Sequence, residues 1–159
     1  MGCTAKLGYF SVPGAEARSA AISAMERLGI SHLAKRSVNA ISGGERQLVY
    51  IARTLLQDPK IIVMDEPTSA LDFGNSLTIT DLIGKLRDDG YTIVLTCHNP
   101  NYPFLFQDHT AAILPDHSLL FGRSEEILSD ETLSAIYGVG IARVFLPEYD
   151  QYVCMKMKA

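Results

Sequence analysis

The sequence Ser42-Gly43-Gly44-Glu45-Arg46-Gln47 begins a helical pattern, and Ile61-Ile62-Val63-Met64-Asp65-Glu66 follows as an apolar run that ends in two acids. A short continuous apolar run is typical of a strand buried on both faces of a parallel sheet. Glycines at a helix start and acids at a strand end are both suited to phosphate or metal-phosphate binding. The two stretches therefore predict an α/β fold with a ligand site at the ends of these elements.

The rest of the chain continues the alternation of helix and strand, and then changes to a hairpin pattern. Residues 1–13 are predicted as a loop, and Gly29, Gly90 and Gly138 are placed where helices end. We expect an α/β chain with parallel core strands, flanking helices and an antiparallel C-terminal tail. The expected helices cover residues 14–28, 42–57, 79–86, 124–128 and 130–137, and the expected strands cover residues 60–64, 92–96, 110–114, 118–121, 142–146 and 151–155.

Composition narrows the classes of protein that the chain can represent. It has 159 residues, of which 47% are hydrophobic, so one domain can bury a substantial core. The formal net charge is −4 and no basic stripe stands out, which argues against a nucleic-acid partner. Cys3, Cys97 and Cys154 are widely spaced and form no metal-binding pattern, which favours a reducing, cytoplasmic compartment.

The first candidate site is the predicted start of the helix at Ser42. Ser42 and Glu45 have the spacing of a capping box, in which each side chain binds the backbone amide of the other residue. That structural reading does not explain Gly43 and Gly44, because glycine in a helix costs about 0.5–1 kcal/mol relative to alanine. Free amides and the helix dipole make such an end an anion site, so we expect a phosphate to approach here.

The second candidate site is the pair of acids after the apolar run. Asp65 is suited to Mg²⁺, directly or through water, and Glu66 could polarise an attacking water. An ordinary acidic loop is the alternative, which the following sequence Pro67-Thr68-Ser69-Ala70-Leu71-Asp72 disfavours. His98 ends the strand expected beside this one, so its imidazole could reach Glu66 and a phosphate.

Together these motifs resemble those of the ATP-binding subunits of ABC transporters. Residues 41–47 look like the signature motif, and residues 61–66 look like Walker B with its catalytic glutamate. Residues 69–72 are similar to the D-loop, and His98 is similar to the switch histidine. Residues 1–8, residues 68–75 and the segment around Tyr137 favour the subfamily that imports iron–siderophore, haem, cobalamin or molybdate.

The resemblance implies a role for each candidate residue. Glu66 and His98 would be catalytic, and Asp65 would bind Mg²⁺, directly or through water, in one subunit. The signature would face the nucleotide of a second subunit, as part of a homodimer that also binds a transmembrane permease. That location is cytoplasmic and peripheral, on the inner face of the cell membrane. The residues implied in ATP binding are Ser42, Gly43, Gly44, Glu45, Gln47 and Asp72.

The chain departs from the family pattern in three places. Asn99 replaces the usual aspartate after the switch histidine, and Ile41 replaces the usual leucine before the signature serine. The third departure is larger: the sequence contains no G-x-x-x-x-G-K-[ST] phosphate loop. We therefore expect a C-terminal fragment with a partial P-loop NTPase fold, in which residues 1–40 complete a helical subdomain and residues 41–159 form the C-terminal part of the ATPase core. Such a chain would be inactive alone.

Two other functions remain open from the sequence. The chain could be a truncated, non-catalytic protein that binds a full-length subunit or a permease. It could also be a signature-motif ATPase of DNA repair. Such ATPases carry long coiled-coil arms before the signature, whereas Pro13 and Gly29 here interrupt any heptad pattern.

Overall fold

The computed structural model describes residues 14–158, which form two compact units. The first unit ends at Cys97, and the second begins at His98. No helix within residues 14–158 is long and apolar enough to cross a bilayer. The predicted loop over residues 1–13 lies outside the described residues, and the predicted division after residue 40 stays a prediction.

The first unit begins with two helices that pack together. Helix α1 covers Ala15–Arg27, and helix α2 covers Gly43–Leu55. Gly29 follows α1 with a φ of +69°, a conformation that glycine adopts without steric cost, as expected for its place after the helix. Two 3₁₀ turns, Ser31–Leu33 and Val38–Ala40, join the helices. Their shared core contains Ile30, Leu33, Ile41 and Ala52.

A two-stranded parallel sheet completes the first unit. Strand β1 covers Ile61–Met64, helix α3 covers Phe73–Asp88, and strand β2 covers Thr92–Leu95. The two strands pair in parallel, with Met64 opposite Leu95. This pairing confirms the prediction that the strand before the two acids and the strand before His98 are neighbours.

The prediction that this sheet is buried on both faces is wrong for the described residues. Ile62 and Met64 are 2% and 7% exposed, whereas Ile61 and Val63 are 59% and 75% exposed. Side chains alternate between the faces of a strand, and the described residues cover only one of them. Val94 lies opposite Val63 and is 53% exposed, so the open face is apolar on both strands.

The second unit contains the antiparallel tail. Helix α4 covers Tyr102–Phe106, and a hairpin follows, with strand β3 over His109–Ile113 and strand β4 over Leu119–Arg123. Helices α5 and α6 cover Ser124–Ile127 and Asp130–Tyr137, and α6 ends at Gly138, whose φ is +67°. The last hairpin pairs strand β5, Ile141–Leu146, with strand β6, Gln151–Lys156. The core contains Phe104, Ala112, Leu128, Leu133 and Ile141.

The antiparallel tail and its helical turns agree with the sequence prediction, which assigned no helix to residues 102–106, where the structure has α4. Pro103 lies in the first turn of α4, where its missing N–H costs no helical bond. Phe104 is 1% exposed and anchors the short helix in the core.

Adjacent residues of β1 allow a test of which face is buried. We expect Ile62→Ala to lower the free energy of unfolding by about 2–5 kcal/mol, because it removes a buried side chain. Val63→Ala, the matched control on the exposed face, should change it by about 0.5 kcal/mol or less. Urea unfolding of both variants would measure the difference, and equal losses would contradict the observed burial.

Candidate functional site

The start of α2 forms the predicted capping box. The Ser42 amide donates to Glu45 Oε2 over 2.8 Å, and the Glu45 amide donates to Ser42 Oγ over 3.2 Å. The bond from the Ser42 amide is the main cause of the lowered pKa of the Glu45 carboxyl, and the Ser42 side chain adds to it. His32 Nε2 also lies 3.7 Å from Glu45 Oε1. The box fixes where the helix begins.

The two glycines that follow Ser42 have different surroundings. Gly44 is buried, and a Cβ added there would lie 2.6 Å from both Cγ and Oδ1 of Asn75. Gly43 is exposed, and its added Cβ would meet Leu71 Cδ2 at 3.5 Å and the Ala70 carbonyl oxygen at 3.8 Å. Those are ordinary contacts, so packing requires glycine at position 44 and not at position 43.

This difference refines the sequence interpretation of the glycine pair. The close approach of α3 explains Gly44 without any ligand. No packing contact explains Gly43, which stays the better candidate for a close approach of phosphate to the backbone. The ATP contacts expected from Ser42, Gly43, Gly44, Glu45 and Gln47 remain predictions.

Asp72 caps the helix that presses against Gly44. Its Oδ1 accepts from the Asn75 amide at 2.9 Å, and its Oδ2 accepts from Asn75 Nδ2 at 2.6 Å. These two bonds, the backbone one first, hold the pKa of the Asp72 carboxyl below its usual value. The same bonds restrain the Asn75 side chain, so it cannot move away from α2 without weakening the cap. Asp72 therefore stabilises the start of α3. Its expected contact with ATP stays a prediction.

Asp65 and Glu66 lie at the carboxyl end of β1, beside the end of β2. Thr96 Oγ1 donates to Asp65 Oδ1 over 2.6 Å and accepts from the Glu66 amide over 3.0 Å. Asp65 is exposed and Glu66 is half-buried. Ligands of open α/β sheets bind at this end of the strands.

Glu66 has an unusual backbone conformation. Its φ is +44°, in the left-handed region that few residues other than glycine adopt. Ser69 fixes the carbonyl side of this residue, because both its amide and its hydroxyl donate to the Glu66 oxygen, over 3.2 and 3.1 Å. The sequence by itself indicates no role for Thr96, and Ser69 appears in the sequence interpretation only as the first residue of the D-loop-like segment. A hydroxyl residue at the end of a neighbouring strand would have been the only signal for Thr96.

Cys97 follows Thr96 and is partly buried. Burial raises the pKa of its thiol, and the Glu66 carboxylate raises it further. The thiol therefore stays protonated at neutral pH, as expected of a small core residue that takes no part in chemistry.

Gln47 and Asp65 line one open cleft between α2 and β1. Its volume is about 180 Å³, and its walls include Tyr50 and Val63. The cleft connects the signature helix with the carboxyl end of β1 inside the first unit. Gln47 is thus near the strand-end acid of its own chain, and its contact with the nucleotide of a second subunit stays a prediction.

His98 begins the second unit, where its backbone is held by α6. The Tyr137 hydroxyl donates to the His98 carbonyl oxygen over 2.9 Å. The following loop is tied to β6, because the Cys154 amide donates to Asn101 Oδ1 over 2.7 Å. The predicted approach of the His98 imidazole to Glu66 stays a prediction.

The acidic side chains at the end of β1 include a candidate ligand for Mg²⁺, but they do not form a complete metal site within residues 14–158. The described residues contain no group of three or more His, Cys, Asp or Glu side chains that could hold a metal ion. Mg²⁺ in phosphate sites commonly uses one or two carboxylates and takes its other ligands from water and phosphate. The exposed Asp65 carboxylate, oriented through one oxygen by Thr96, fits that role and leaves its other oxygen for the ion or its water.

Comparisons with known proteins identify the family. The family model for ABC transporters matches residues 5–69. The molybdate import ATP-binding protein MolC of Haemophilus influenzae is 36% identical over 138 residues, covering 86% of this chain and 54% of that protein. The ferric enterobactin transport ATP-binding protein FepC of Escherichia coli is 35% identical over 125 residues, covering 78% and 46%.

Solved structures give the same result for the fold. An inward-facing transporter assigned to the metal-chelate ABC type matches with a TM-score of 0.90 and 30% identity, over 99% of this chain and 64% of that chain. An ATP-binding cassette of another ABC transporter matches with a TM-score of 0.72 and 28% identity, over 84% and 55%.

The chain therefore has the α/β fold of an ATP-binding cassette, in part, as the sequence predicted. It belongs to the family of ABC transporter ATP-binding proteins. The chain spans about half the length of the curated relatives it matches.

Replacing each glycine of the pair by alanine separates packing from ligand approach. We expect Gly44→Ala to destabilise the chain by about 1–3 kcal/mol, because the new methyl group overlaps Asn75. Gly43→Ala is the matched control and should be neutral or slightly stabilising. Thermal unfolding measures both. An equal loss for the two variants would show that Asn75 does not restrict position 44.

The Asp72 cap predicts a dependence of stability on pH. Because the pKa of Asp72 is lower in the folded chain, its contribution is complete above the unfolded value of about 4 and is lost as pH falls through the folded value. Wild type should exceed Asp72→Asn in stability at pH 7, and the gap should shrink on acidification. Denaturant unfolding between pH 7 and pH 3 measures this gap. A difference in unfolding free energy that stays constant between pH 7 and pH 3 would show that the charge of Asp72 does not stabilise the folded chain.

Proposed function

We propose that this chain forms the signature and Walker B part of an ATP-binding subunit that powers an ABC importer. The observation that carries the proposal is the pair Asp65 and Glu66 at the carboxyl end of β1, organised by one hydroxyl of Thr96. Family membership supports it, because the relatives named above are ATP-binding proteins of transport systems.

Within one subunit, Asp65 and Glu66 would serve the hydrolytic half of the site. Asp65 would hold Mg²⁺, which neutralises charge on the phosphates when it is bound. Glu66 would accept a hydrogen bond from the attacking water and orient it toward the γ-phosphate. The family resemblance implies that His98 would act as the switch histidine on the same phosphate. Each of these groups contributes fixed charge or a fixed hydrogen bond, which stabilises charge developing on the phosphoryl oxygens.

The start of α2 would serve the nucleotide of a second subunit. Ser42 and Gly43 are exposed at the first turn of a 13-residue helix, where backbone N–H groups and the helix dipole favour an anion. Glu45 is occupied by the capping box and keeps that turn in place. The two halves of the site therefore act on different ATP molecules in a homodimer.

The transported substrate and the membrane partner follow from the relatives. Those named above are ATP-binding proteins of molybdate import and of ferric enterobactin transport, and the transporter of known structure is described as of the metal-chelate type. We infer import of a metal chelate or oxyanion through a transmembrane permease. The subunit would lie at the cytoplasmic face of the membrane, bound to that permease through the region before the signature.

A second candidate function is a non-catalytic partner of a full-length subunit. The observation that favours it is an exposed apolar face formed by Ile61, Val63 and Val94 within the described residues. Titrating the chain into a full-length relative and measuring ATP hydrolysis distinguishes the two. Saturable inhibition supports the partner function, and no effect at saturating chain argues against it.

The proposed function makes a prediction for the 159-residue polypeptide alone. Nothing in its sequence replaces the lysine and amides that hold the β- and γ-phosphates, so we expect hydrolysis no faster than that of Glu66→Gln. Phosphate release from ATP and Mg²⁺ measures this rate. Glu148→Gln, an exposed glutamate in the β5–β6 turn, is the matched control. Robust hydrolysis abolished only by Glu66→Gln would overturn the claim that this chain needs a phosphate-binding segment.

A further inference from the structure

We propose that Thr96 is a positioning residue, whose single hydroxyl sets the geometry of both Asp65 and Glu66. The expected effect of Thr96 on ATP hydrolysis rests on the proposed function. The positioning of Asp65 and Glu66 by Thr96 rests on the hydrogen bonds alone. Thr96 lies one residue beyond β2 and touches the two acids through one oxygen atom.

The hydrogen bonds require a hydroxyl at this position. Thr96 Oγ1 has one proton, which it donates to Asp65 Oδ1 at 2.6 Å, and a lone pair that accepts the Glu66 amide at 3.0 Å. A hydroxyl supplies one donor and two acceptor lone pairs, so it can satisfy both partners at once. Valine has the same shape but can satisfy neither, whereas serine retains both functions.

The backbone ladder fixes where this hydroxyl lies. Met64 pairs with Leu95 in the parallel register, and the Thr96 amide donates to the Met64 carbonyl oxygen over 3.0 Å. The last bond of the ladder therefore joins Met64, the final residue of β1, to Thr96, one residue beyond β2. Asp65 and Thr96 are brought side by side by this bond, independently of any ligand.

The hydroxyl of Thr96 also helps to hold the backbone of Glu66 in its unusual conformation. The left-handed region is sterically unfavourable for a residue other than glycine, so neighbouring groups must hold Glu66 there. Thr96 binds the amide side of Glu66, and Ser69 binds its carbonyl oxygen from the other side. Fixing both peptide groups fixes the direction of the Cα–Cβ bond of Glu66, from which its carboxylate extends.

Loss of the hydroxyl should therefore act on two acids at the same time. Mutation of a residue that orients a metal-site ligand through a hydrogen bond typically lowers metal affinity or activity by roughly 10- to 100-fold. We expect a loss of that size in kcat, with a small change in the KM for ATP, because Thr96 contacts the acids rather than the nucleotide.

The first test is amide hydrogen exchange at Glu66 in the 159-residue chain, which needs no hydrolysis. Thr96→Val should speed exchange at Glu66 at least tenfold, whereas Thr96→Ser should leave it near wild type. Thr92→Val, an exposed threonine on the same strand, is the matched control, and the Ile62 amide reports global stability. If Thr96→Val does not fold, Thr96→Ala replaces it.

The second test measures kcat and KM for ATP after the chain is combined with a polypeptide that carries a phosphate loop. Thr96→Val should lower kcat at least tenfold, and Thr96→Ser should restore it. Equal effects of valine and serine in either test, or unchanged Glu66 exchange in Thr96→Val, would overturn the proposal. If wild type shows no hydrolysis in the mixture, the proposed function fails, and the exchange experiment alone decides the role of Thr96.

Discussion

The parallel pairing of β1 with β2 is the constraint on which the candidate site depends. Parallel strands present their carboxyl ends at one edge, so the residues that follow them become neighbours even though about 30 positions separate them in sequence. Asp65 and Thr96 meet for this reason, and Glu66 is bound to Thr96 through the next amide. A shift of register by one residue would separate these groups and would exchange the buried and exposed faces of β1.

A second set of contacts supports the helix that carries the signature. Asp72 caps α3 and restrains Asn75, and Asn75 lies so close to α2 that only glycine fits at position 44. The start of α3 and the start of α2 are therefore coupled by packing within one chain. Changes at Asp72 will be transmitted to the start of α2 through Asn75, whether or not Asp72 itself touches nucleotide.

The sequence predicted those features that local chemistry determines. The Ser42–Glu45 box, the positive φ at Gly29 and Gly138, and the parallel neighbour of the Asp65 strand all followed from spacing and residue type. The features it missed depend on contacts between distant segments. Gly44 is explained by Asn75, and Thr96 by the register of two strands, neither of which a single sequence displays. The apolar run of β1 predicted burial on both faces, but the described residues cover only one.

The most direct test of the proposed site is where Mg²⁺ binds when a nucleotide is present. Mn²⁺ can replace Mg²⁺, and its unpaired electrons broaden the NMR signals of nearby amides. In a mixture of this chain, a polypeptide with a phosphate loop, ATP and Mn²⁺, we predict selective broadening at Asp65, Glu66 and Thr96. The acidic turn at Asp116 is the internal reference and should stay sharp. Broadening at Asp116 with sharp signals at Asp65 and Glu66 would contradict the assignment of the strand-end acids to the metal–phosphate site.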